Sequence, residues 1–71
     1  MELKHYIMKD YERGYITDRL GDWTELQDGG VQFKMFEMYK IFGYNYIVTE
    51  KSQYRMVGKL EQCLDYIEEW I

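Results

Sequence analysis

Apolar side chains recur at Leu60, Cys63, Leu64, Ile67 and Ile71, the i, i+3, i+4, i+7, i+11 spacing by which a helix buries one face, and Trp70 stands beside them. The spacing predicts an amphipathic helix over residues 59–71. Burying Leu60, Leu64 and Ile67 contributes roughly 1.5–3 kcal/mol each relative to exposure, enough to anchor that helix on a preceding sheet. Its other side is acidic: Glu61, Asp65, Glu68 and Glu69. Glu68 and Glu69 fall in the last turn, where the helix dipole favours cations, so a local rule is broken there. Such carboxylates are either a solvated face or are kept for a basic partner.

Upstream, the patterns read as strands. Leu3 to Lys9 alternates weakly, Arg13-Gly14 offers a turn, and Tyr15-Ile16-Thr17 returns, which predicts an N-terminal hairpin with its loop across Asp10 to Gly14. Asp18 to Asp28 is acidic, with only Arg19 in opposition. Asp22 and Glu25 stand three apart, as at the start of a short helical turn; the plainer reading is a solvent-facing loop pinned by Trp23. The Asp-x-Asp-x-Asp-Gly pattern of a calcium loop is absent.

Asp28-Gly29-Gly30 is the strongest turn signal of the chain. Beyond it Val31, Phe33 and Met35 alternate with polar residues, then Phe36, Met38 and Lys40 continue on a shifted register, as a strand with a bulge at Met35-Phe36 would. A helix from Val31 to Phe42 is the rival reading. Strand is preferred, because β-branched and aromatic residues dominate and no N-cap precedes Val31. Tyr44 to Glu50 reads as another strand, Lys51-Ser52-Gln53 as a polar turn and Tyr54 to Val57 as a short last strand. Gly58 then releases the chain into the helix. The expected fold is α+β: one domain over residues 1–71, with a small antiparallel sheet of four or five strands and one C-terminal amphipathic helix across one face. The other sheet face is expected to be open to water or to a partner.

Size and composition narrow the functions. A 71-residue chain lies near the lower limit for a core without staples, and one cysteine with one histidine allows neither an internal disulfide nor an all-Cys/His zinc site. No run of apolar residues suits a membrane span, the N-terminus lacks a signal-peptide pattern, and a lone cysteine on an apolar stripe fits a reducing compartment, so a cytoplasmic location is expected. Charge is uneven: residues 1–30 carry four Lys/Arg against seven Asp/Glu, residues 31–59 five against two, and residues 60–71 none against four. The ends are acidic and the middle is basic. Two Trp, eight Tyr and three Phe are more rings than so small a core can fully bury, so several are expected at the surface.

The candidate chemistry is sparse. His5 and Cys63 are the one possible Cys/His pair, and nothing in the sequence brings them together; Cys63 on the apolar stripe reads as core. Glu61/Asp65 and Asp65/Glu69 lie one turn apart but lack further metal ligands, and the glycines fit no phosphate-binding loop. No enzyme activity and no cofactor are expected.

Two binding readings remain. Lys34, Tyr39, Lys40, Tyr44, Tyr46, Tyr54 and Arg55 interleave cations with rings, as a sheet that holds single-stranded nucleic acid does. A sequence pI near 4.8 opposes that reading, because a negative long-range field repels phosphate. The preferred reading is a protein-binding module whose partner has a basic surface. Its contact residues are Glu61, Asp65, Tyr66, Glu68 and Glu69, with Asp18, Asp22 and Glu25 as a second acidic patch. In size, acidity and absence of motifs the chain is similar to small phage-encoded anti-defence inhibitors, including anti-CRISPR proteins and DNA mimics. That resemblance of general character implies an inhibitor that blocks a nucleic-acid-handling host protein. A homodimer that buries its aromatic face on itself, as a structural subunit, is the third possibility.

Overall fold

A computed structural model of the protein describes residues 5–71. Its elements, in order, are helix α1 (Asp10–Leu20), strands β1 (Thr24–Glu25), β2 (Val31–Phe33), β3 (Phe36–Phe42), β4 (Asn45–Glu50) and β5 (Gln53–Lys59), and helix α2 (Leu60–Glu69). The five strands form one antiparallel sheet in sequence order. Both helices lie over the same sheet face, with α2 packed on β4, β5 and α1.

The sheet is a meander because each connection is a tight turn. Leu26 and Gly30 close the β1–β2 turn through the Leu26 N–H to Gly30 O bond of 2.8 Å, where the diglycine predicts it. Gly29 takes the positive φ of that turn, and Gly30 is needed for space: a Cβ there would stand 2.5 Å from the Tyr39 ring. Between β4 and β5, Lys51 and Ser52 both take positive φ, as a type I′ hairpin requires.

Phe36, Met38, Tyr46 and Val48 on the helix-covered face meet Ile16 of α1 and Cys63, Leu64 and Ile67 of α2, with Met8, Val31 and Phe33 completing the core. On the opposite face Tyr39, Ile47 and Val57 align across β3, β4 and β5. That face is less open than expected, since Ile47 and Thr49 at its centre are buried and His5 stacks on Tyr39 at 4.2 Å.

Four expectations are corrected. Residues 10–20 are helix, not the loop and second strand of a hairpin. Leu3 and Lys4 of the proposed first strand lie outside the described residues, and Tyr6 makes an isolated bridge to Lys40. The buried stripe of α1 is Glu12, Ile16 and Leu20; a carboxylate occupies the place of an apolar residue, so the period is hidden. Thr24–Glu25 is a short strand, not a helical turn. Met35-Phe36 is no bulge: Lys34 enters the left-handed region and Phe33 faces Phe36 across a two-residue turn, while the irregularity of β3 falls between Lys40 and Phe42. Finally, α2 ends at Glu69, which leaves Trp70 and Ile71 exposed outside the predicted apolar stripe.

Candidate functional site

Charge follows the layers. Helix α2 carries four carboxylates and no cation, and α1 carries Asp10, Glu12 and Asp18 against Arg13 and Arg19; seven against two leaves −5 on the helices. Residues 31–59, from β2 to β5 with their turns, carry five cations against Glu37 and Glu50, or +3. With β1 and its turn, which add Glu25 and Asp28, the whole sheet carries five cations against four carboxylates, so an acidic helical layer lies on a nearly neutral sheet.

Arg19 organises the acidic layer. Its guanidinium donates to Asp65 Oδ1 at 2.6 Å, to both carboxylate oxygens of Glu68 and to the Tyr15 hydroxyl at 3.2 Å, locking α1 to α2. The Glu68 carboxylate, then that of Asp65, holds the guanidinium pKa further above its already high value. The misplaced carboxylate at Glu68 therefore has a structural partner that the sequence pattern concealed, because the cation lies 49 positions away. Among the described residues Asp18, Asp22, Glu61 and Glu69 make no ion pair, and all four are exposed. Glu25 leaves this group for β1, where Arg13 holds it at 3.1 Å, and Tyr66 turns inward, edge-on to Phe36 at 6.1 Å.

A cavity of about 390 Å³ opens where the first turns of the two helices meet the β3–β4 turn. Tyr11, Tyr15, Tyr44, Tyr46 and Leu60 wall it, with Glu12, Lys59 and Glu61. Glu12 is the residue that sequence reasoning missed. Its Oε1 accepts the Lys9 backbone N–H at 2.8 Å and the Lys40 ammonium at 3.0 Å, with both side chains largely buried. Its Oε2 is buried without a hydrogen-bond partner. Gln62 does the same service for α2, accepting the Lys59 N–H at 2.9 Å. Both helices thus use the returning half of a capping box, in which the third helical residue reaches back to the N-cap amide. Lys9-x-x-Glu12 and Lys59-x-x-Gln62 were the readable signals, obscured because lysine is no ordinary N-cap.

The cations and rings proposed for nucleic acid do not form one surface. Lys40 and Tyr46 are buried under the helices, Tyr39 and Tyr54 lie on the opposite face, Tyr44 is exposed at the β3–β4 turn, and Lys34 sits in the β2–β3 turn over Phe33. Arg55 is held by Glu50 at 3.2 Å.

Cys63 is buried, with Sγ 3.7 Å from the carbonyl oxygens of Tyr46 and Gly58, and burial pushes its thiol up to about 11. His5 is instead on the far sheet face, its Nδ1 3.3 Å from Asp28. The Tyr39 phenol is raised above its ordinary value by burial first, then by Glu37 and Asp28. No family model matches this chain, and no curated protein and no solved structure matches it.

Proposed function

We propose that the protein is a binding module that engages a basic protein surface through its helical layer, in the manner of an inhibitor of a nucleic-acid-handling protein. The observation that carries this reading is the segregation of charge. Carboxylates gather on the two helices while only Arg13 and Arg19 oppose them there, and Arg19 fixes the spacing of Asp65 and Glu68. A rigid row of carboxylates presents negative charge as a nucleic-acid backbone does, and gains on-rate and specificity from a complementary basic groove. Asp10, Asp18, Glu61 and Glu69 are the helical carboxylates without an ion pair among the described residues, and Asp65 and Glu68 stay exposed while they hold Arg19.

The test is capture from a bacterial lysate on the tagged protein, with and without nuclease, eluted by rising salt. The reading expects a basic protein that survives nuclease and leaves with salt. It is contradicted by recovery of nucleic acid on the wild type, or by loss of every captured protein after nuclease treatment.

A further inference from the structure

The tyrosine-walled cavity is built for a ligand group of definite chemistry. The donors that reach Glu12 and the helix caps beside it are engaged: the Lys9 and Lys59 amides are taken by Glu12 and Gln62, and the Lys40 ammonium by Glu12 Oε1. What is unsatisfied is an acceptor, Glu12 Oε2, on a side chain that is 1% exposed and belongs to the cavity lining. An unpaired buried carboxylate oxygen costs free energy until a donor reaches it. The walls are aromatic, and Glu61 at the margin offsets Lys59. A donor that also packs flat on rings and carries positive charge meets every one of these conditions, and the guanidinium is that group.

We infer that this cavity receives the side chain of an arginine on the protein partner, with one N–H directed to Glu12 Oε2 and the guanidinium packed among Tyr11, Tyr15, Tyr44 and Tyr46. The inference rests on the protein-binding reading and specifies its partner: a basic surface with a protruding arginine beside the cations that meet the helical carboxylates.

The experiment is an NMR titration of the full chain with acetyl-Gly-Arg-Gly-amide and with its citrulline counterpart, which keeps the shape and removes the charge. Millimolar, saturable shifts confined to the four tyrosine rings and the first turns of the helices are expected from the arginine peptide, with citrulline at least about tenfold weaker. Glu12→Gln, which preserves the cap, and Tyr44→Ala, at an exposed turn, should each weaken the response about tenfold. Tyr44→Ala decides the matter if Glu12→Gln fails to fold. Equal response to citrulline, shifts spread along Asp65 and Glu68 instead, or a Tyr44→Ala variant that responds as wild type overturns the inference, as does tighter binding of free arginine than of the peptide. Failure of the two readings is separable: peptide shifts without any captured basic protein leave the cavity standing and remove the helical-layer reading, whereas capture with an inert cavity does the reverse.

Discussion

Glu12 sets the balance at the residue scale, because one carboxylate caps α1, neutralises Lys40 and lines the cavity. Removing only its partner leaves a charge buried beside Ile16. Lys40→Met should therefore cost about 3–5 kcal/mol, while the double variant with Glu12→Gln should recover most of it, since the glutamine still caps Lys9. Urea unfolding of the four proteins of that cycle measures the coupling. Cys63 makes a second prediction. Its thiol rises from an ordinary 9.0 to about 11 in the fold, so the unfolded chain ionises first as pH rises. Its contribution to stability is whole below pH 9.0 and is lost progressively toward about 11. Unfolding free energy measured across that window should fall, and less steeply in Cys63→Ala; an identical slope contradicts the assignment. Native protein should also resist thiol reagents that label the unfolded chain.

At the scale of elements, α1 is the weaker of the two helices, since it buries only Glu12 and Ile16 fully and places Gly14 in its middle. A Cβ at Gly14 meets nothing within 4 Å, so Gly14→Ala should raise stability by about 0.5–1 kcal/mol, readable as a higher urea midpoint with an unchanged slope. The same features explain what was legible in the sequence. Helix α2 and the later strands were readable because their apolar residues repeat with the element's own period and their turns carry Gly29-Gly30 or a polar Lys51-Ser52. Helix α1 was not, because its buried stripe begins with a glutamate and contains a dipeptide, Arg13-Gly14, that mimics a turn. The turn at Lys34-Met35 was hidden for a related reason: a lysine takes the left-handed conformation where glycine or asparagine is usual. Of the site, the acidic stripe of α2 was visible, but its cross-helix pairing to Arg19 and the burial of Glu12 depend on contacts that no local period encodes. The edge strand β5 is blunted by Arg55, Lys59 and a register shift at Val48–Thr49, devices that discourage pairing with a second copy.

Across the whole molecule negative charge is concentrated on the helices while the sheet is nearly neutral, so orientation toward a charged partner is built into the fold. The helices present the acidic side. Reversing Asp65 or Glu68 is a poor probe of that side, because a lysine there would face Arg19 and strain the α1–α2 contact. Asp18 and Glu69 have no ion-pair partner among the described residues and lie outside the cavity lining, so their reversal changes the field and spares the packing. The most direct measurement is the affinity of the captured partner for wild type and for the Asp18→Lys/Glu69→Lys double variant, by surface plasmon resonance at low and at physiological salt. The account predicts a variant with wild-type thermal stability that binds at least about tenfold more weakly at low salt, by a smaller margin as salt screens both proteins. Equal affinity of the two proteins at low salt would contradict it.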